Sequence, residues 1–252
     1  MLRTVVIFFK YMLIASCCLH ITSCESKTKD EAVDKLLGEL KVEVNGTSVT
    51  VHQARVSKYP MNMVWEGYQR PVNQTEIANF AYFDFKKNAV VKITSSEDIK
   101  DCKIRPTEFG ITPVVKGKSV EFTLTEPCQF VVEFDGHHEA LHLFVNPEKL
   151  TVDRDANARY FGPGIHEAGV ITMRSNEMVY IDEGAIVYGA IQSENASNIK
   201  IVGKGILDSS HMNSGHIVSL KGVSNAHIEG VILKDPAGWA AVPYYCNGVT
   251  FD

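Results

Sequence analysis

Five carboxylates in the second half of the chain have the most immediate capacity for chemistry: Asp182, Glu183, Asp208, Glu229 and Asp235, all in or beside short apolar runs. Hydrolysis of a glycosidic bond is the reaction that such residues suggest, and it requires two carboxyl groups facing one another roughly 5 to 10 Å apart. On stacked strands a pair of that kind comes from outward positions on neighbouring repeats of one sheet. No such pair stands out here. Asp208 and Asp235 close their strands and read as turn formers, since Asp bonds readily to its own backbone. The sequence therefore assigns no catalytic residue.

Other reactive types are equally quiet. His137, His138 and His142 are close together, with His216 and His227 later, but an alternating strand places His142 with Phe144 and not with the other two, and no zinc spacing is present. Neither a metal nor a cofactor is expected. Gly203-Lys204-Gly205 begins like a dinucleotide fingerprint, yet Asp208 stands where the third Gly belongs and no helix follows, so it reads as a turn. Cys102 and Cys128 share the parity of Ile104, Phe130 and Val132 and should point at a core. In an exported protein a bridge between them would contribute about 3 kcal/mol; two free core thiols are the other reading. Cys246 reads as buried packing.

The elements that position these residues announce themselves by repetition. Ser175 to Ile181, Ser197 to Ile201, Ser224 to Ile228 and Cys246 to Phe251 say nearly the same thing, and aligned on positions 179, 199, 226 and 249 they recur every 20, 27 and 23 residues. Short alternating strands at that period, separated by Gly, Asn or Ser, are the pattern of a solenoid. The expected form is a parallel β-helix over 155–252 with Val179, Ile181, Ile199, Ile201, Ala226 and Ile228 filling its bore. A β-sandwich with coincidental spacing is the competing fold. Asparagine before each strand suits the turn because it tolerates left-handed geometry.

Upstream, Val42 and Val44, then Asn45-Gly46, then Val49 and Val51 form a hairpin signal, because Asn-Gly supplies the two positive φ values of a type I′ turn. Alternating runs continue at Val90 to Thr94, Cys102 to Arg105, Val120 to Leu124, Phe130 to Phe134 and Leu141 to Val145. That density of short strands predicts an immunoglobulin-like β-sandwich over 41–150. Residues 153 to 157, without hydrophobic pattern, are the expected hinge.

Residues 1–24 read as a lipoprotein signal peptide: Arg3 and Lys10 precede an apolar stretch, and Ile21-Thr22-Ser23-Cys24 has the form of a bacterial lipobox with Cys24 as the lipidated residue. A charged tether follows over 25–40. The expected location is outside the cytoplasm, membrane-anchored, in the periplasm or at the cell surface. Formal net charge is −5 over the 252 residues and −7 once Arg3 and Lys10 leave with the signal, which argues against a nucleic-acid partner.

Tyr160 to Gly169, Val179 to Ala190, Gly203 to Asp208 and Asp235-Pro-Ala-Gly-Trp239 with Cys246 to Phe251 resemble the early coils of polygalacturonase-like glycoside hydrolases of family 28. Trp65 to Pro71, Lys103 to Pro106 and Leu141 to Pro147 are similar to the N-terminal sandwich of the dextranase and isopullulanase group, family 49. The resemblance implies an all-β chain, with a sandwich followed by a right-handed parallel β-helix, acting on a polysaccharide by aspartate acid–base chemistry. In family 28 those aspartates lie in Asn-Thr-Asp and Asp-Asp runs of later coils, which this sequence lacks; the β-helix is expected to be cut short before them. Residues 25 to 252 alone are accordingly expected to be catalytically silent and prone to association at the open end. The alternative is a non-catalytic surface protein that binds polysaccharide, with Trp65, Tyr68 and Trp239 as its stacking platform.

Overall fold

Alternating sequence becomes strand throughout the computed structural model, which describes residues 39–58, 75–136, 138, 140–213 and 215–252. Cys24, Trp65, Tyr68 and His137 lie outside the described residues, as do the signal peptide and nearly all of the tether. Among the described residues, ten strands build the first body: β1 (Lys41–Val44), β2 (Thr47–Val49), β3 (His52–Ser57), β4 (Thr75–Asp84), β5 (Ala89–Thr94), β6 (Cys102–Arg105), β7 (Val114–Lys116), β8 (Ser119–Leu124), β9 (Gln129–Phe134) and β10 (Leu141–Asn146). They form two five-stranded sheets, β2-β1-β5-β8-β7 and β3-β4-β10-β9-β6. All neighbours are antiparallel except β4 and β10, which run parallel. Inward positions such as Val91, Ile93, Val120 and Phe122 of one sheet meet Phe83, Phe130, Val132 and Leu143 of the other in a common core. Asn45 and Gly46, at φ 50° and 79°, make the predicted hairpin turn between β1 and β2.

The two sandwich cysteines are free thiols. The antiparallel register explains why no bridge joins them: Cys102 lies opposite Phe134, six residues along the strand from Cys128, a separation of roughly 20 Å at the rise of a β-strand. Matching parity placed both toward one side of the sheet but at opposite ends of it. Cys102 is buried, and desolvation, reinforced by Asp101 and Asp135, pushes its thiol up to about 12.

Eleven strands build the solenoid: β11 (Arg159–Phe161), β12 (Gly164–Met173), β13 (Met178–Ile181), β14 (Ala185–Glu194), β15 (Ser197–Gly203), β16 (Ile206–Asp208), β17 (Val218–Lys221), β18 (Ser224–Glu229), β19 (Ile232–Lys234), β20 (Ala241–Tyr244) and β21 (Asn247–Phe251). Every pairing among them is parallel, in about four turns with three faces. The first face stacks β11-β13-β15-β18-β21. β14 bends at Gly189, so that its first half pairs with β16 on the second face and its second half with β17 on the third. The six expected bore residues are all buried.

One repeat alignment needs correction. Val179 pairs with Ile201, not Ile199, so the first repeat is 22 residues long and not 20. A slip of two leaves every side chain on its own face, and therefore the hydrophobic pattern alone could not detect it. The turns settle the register: Asn176, Asn198 and Asn225 all take positive φ, and each amide bonds to the one before it, Asn198 Nδ2 to Asn176 Oδ1 at 3.1 Å and Asn225 Nδ2 to Asn198 Oδ1 at 3.2 Å. Gly248 continues that column with φ 66°.

Sandwich and solenoid share an interface. Ala78 and Phe80 of β4 are buried yet stand outside the sandwich core, because they face the second face of the solenoid. Lys204 pins the junction, its ammonium bonding to Asp84 Oδ2 and, at 2.8 Å, to the Glu148 carbonyl. Glu229 pins the connecting segment by accepting from the backbone N–H groups of Thr151 and Val152 and from the Thr151 hydroxyl.

Candidate functional site at the sandwich–solenoid junction

A group of interacting charged side chains sits where the second face meets the sandwich. Strand alternation turns Glu167, Tyr188, Asp208 and Lys234 outward, and parallel pairing stacks them in one row, one residue per coil. Asp208, 2% exposed, closes its own turn by accepting the Ser210 N–H at 2.8 Å. Lys234 Nζ donates to Asp208 Oδ2 at 2.6 Å and to Asp235 Oδ2 at 2.9 Å. Asp235, at φ 51° in a turn, accepts the Arg55 N–H of the sandwich at 2.8 Å through its other oxygen. Burial pulls the Lys234 ammonium down, but the hydrogen bonds and charges of Asp208 and Asp235 outweigh it and hold the group above the usual lysine range.

Beside this row lies a cavity of about 260 Å³ lined by Ala54, Arg55, Val56, Ala78, Phe80, His142, Phe144 and residues 232–236. One imidazole, His142, lines it, and a second, His52, lies on the neighbouring strand β3. His52 stacks against Phe80 and Tyr82, with ring centroids 5.1 and 5.5 Å apart; burial and then Lys234 lower its pKa. His142 is lowered by burial alone.

Asp208 and Asp235 thus converge on one ammonium, which sequence spacing did not foresee, since Lys234, which joins them, stacks in register on Asp208 and precedes Asp235 in the chain. Two carboxylates on one nitrogen invite comparison with the facing pair of a glycosidase. Their chemistry is different. One ammonium is shared between them, Asp208 is sealed from solvent, and the second oxygen of Asp235 holds the Arg55 N–H, so both carboxylates are engaged in structure and do not face an open sugar site. Two of the other three candidates are similarly committed: Asp182 Oδ2 accepts the Tyr160 hydroxyl at 2.6 Å, and Glu229 holds the connecting segment, while Glu183 is exposed. Burial raises Glu229, but bonds from Thr151 and His227 and the charge of His227 bring it below the usual carboxylate range.

His138 and His142 stand apart. His138 lies 3.0 Å from Glu76 Oε2, whereas His142 faces the junction cavity. Nor do any three His, Cys, Asp or Glu among the described residues converge as metal ligands. Trp239 is 73% exposed, and its backbone N–H bonds to His216 Nδ1 at 3.0 Å. Sequence reasoning missed Lys204, Lys234 and Arg55, which hold the two bodies together, and also His211, which stacks on Tyr188 at 3.8 Å.

With this geometry, a sandwich leading into a parallel solenoid, the chain can be set against known proteins. It is similar in fold to Dex49A from Penicillium minioluteum. The TM-score is 0.55 at 13% identity, over 82% of this chain and 57% of that one. A protein from Parabacteroides merdae described as a glycosyl hydrolase aligns over 36% of this chain and 58% of its own at 23% identity, but its TM-score of 0.32 is too low to bear on the fold. No protein-family model and no curated protein matches the chain. The likeness to Dex49A is one of architecture, and the chain spans about 57% of that protein's length.

Proposed function

We infer that this chain belongs to an exported, lipid-anchored glycoside hydrolase of the polygalacturonase or dextranase type that degrades a polysaccharide. The order of sandwich and solenoid, aligned with Dex49A over 82% of the chain, is the observation that carries this reading. Aspartates would do the hydrolysis, but not Asp208 and Asp235, which are bound into the junction. A net charge of −7 without the signal favours a neutral glycan over a polyanion such as pectate, whose binding calls for Arg and Lys. The test compares the protein isolated from its bacterial membrane with recombinant residues 25–252, by reducing-sugar release from dextran, pullulan and polygalacturonate. The membrane form should release sugar from a neutral glycan and the recombinant form should be silent. Release by the recombinant form would overturn the roles given to Asp208 and Asp235, and silence of the membrane form on all three would overturn the hydrolase reading. Mass spectrometry of the N-terminal peptide from the same preparation tests lipidation, which an unmodified peptide running through Cys24 would refute.

The exposed Trp239 indole favours one second reading, a polysaccharide-binding protein without catalysis. It predicts retention by glycan and no sugar release from either form.

A further inference from the structure

The third face of the solenoid carries an aromatic pair that folding does not account for. Asn195, Gly222 and Tyr245 follow the paired third-face residues Glu194, Lys221 and Tyr244, and all three have positive φ, 50°, 62° and 52°. Asn and Gly are the residues that accept this conformation; a bulky aromatic there is an outlier. Tyr245 is 88% exposed, and the same corner position in the two preceding coils, Gly222 and Asn195, is exposed with a coil on either side. Strain kept without a packing return points toward function. Immediately before it Tyr244, 58% exposed, stands in the outward row Glu194–Lys221–Tyr244, with its ring centroid 5.9 Å from that of Tyr245. That row is open to solvent along its length: Lys221 has a strand on either side and still leaves 63% of its side chain exposed.

The surroundings select a ligand. Lys221 and Glu194 cancel one another in a 2.7 Å ion pair. The adjacent outward row runs Thr172, Gln192, Ser219 and Val242, uncharged throughout, with apolar Val242 on the strand of Tyr244 and three groups that both donate and accept on the coils before it, Gln192 already bonded to Thr172 at 3.0 Å. Rings beside neutral hydrogen-bonding side chains, without net charge, suit the apolar face and hydroxyl rim of an uncharged sugar and offer nothing to a polyanion.

We propose that Tyr244 and Tyr245 form a stacking platform for a neutral polysaccharide chain on the third face of the solenoid. It is separate from the junction row and rests on the reading of this protein as polysaccharide-directed. The platform holds polymer and does no chemistry.

Residues 25–252 and the variants Tyr244→Ala, Tyr245→Asn and the double variant are run in native gels containing dextran, pullulan or polygalacturonate. Wild type should be retarded by dextran or pullulan and not by polygalacturonate, and the double variant should lose at least ~10-fold in apparent affinity. Tyr245→Asn should bind more weakly while melting at least as high as wild type, because Asn accepts the turn; this separates lost binding from lost folding. Unchanged retardation of the double variant, retardation by polygalacturonate alone, or no retardation of wild type would each overturn the platform. Sugar release by the membrane form reports on the hydrolase reading independently: tyrosine-dependent retention without hydrolysis leaves the platform standing and removes that reading, whereas hydrolysis without retention does the reverse.

Discussion

Lys234 shows what one residue does in this fold, since its one ammonium ties two carboxylates together at the meeting of two bodies. Removing it leaves Asp208 buried without its counter-charge, the costly way to break an ion pair. Lys234→Met should destabilise by about 3–5 kcal/mol in urea unfolding, and Lys234→Met with Asp208→Asn by clearly less. Because the folded ammonium is held above its unfolded value of about 10.5, its contribution should be complete below that pH and vanish as pH rises through the folded value. The cysteines provide a second check at this scale. Unfolded, unreduced protein should expose both Cys102 and Cys128 to alkylation. In the native state at pH 8, Cys102 should react slowly, because its thiol is buried and pushed up to about 12.

At the scale of the element, the solenoid is held in register by its corners. Gly203 passes so close to the preceding coil that a Cβ would lie 1.8 Å from the Ile181 carbonyl oxygen, an approach that no side chain can relieve. Gly203→Ala should abolish soluble expression or lower the melting temperature by more than ~10 °C. Asn198 is subtler: it holds φ 56° and makes two bonds in the amide ladder. Asn198→Ala should cost about 1–2 kcal/mol in chemical denaturation, through both the left-handed backbone and the lost bonds. Asn198→Gly should recover part of that loss. Equal losses for the two variants would place the whole effect in the side-chain ladder.

For the molecule as a whole, the buried outer face of the β4 sheet, the Lys204 anchor and the Glu229 clamp should make sandwich and solenoid melt together. A single calorimetric transition is expected near pH 7, and Phe80→Asp, which places a charge in the interface, should split it into two. Acid should weaken the same junction. His52 and His142 are lowered from 6.5 and Glu229 from 4.5, so in each case the unfolded chain binds protons first as pH falls. Stability should therefore decline below about pH 6.5 and again through the carboxylate range. His142→Leu should flatten the first step, and Glu229→Gln the second. A stability profile level from pH 7 to 4 would contradict this account of the junction.

Sequence alone determined the fold class and the faces, because both rest on local periodicity. Alternation placed Val179, Ile181, Ile199, Ile201, Ala226 and Ile228 in the bore, Asn-Gly specified the first hairpin, and Asn before each strand marked the left-handed corners. Register and partnership were decided only in three dimensions. A slip of two residues preserves the face of every side chain, and so Val179 could be matched to Ile199 when its partner is Ile201. Shared parity could not reveal that Cys102 and Cys128 stand at opposite ends of a strand pair. The junction was the least legible part: Arg55 and Asp235 are 180 residues apart, and Lys204 and Asp84 are 120 apart. Contacts at such separations leave no periodic trace, because they arise from which outer face of the sandwich comes to rest on which face of the solenoid.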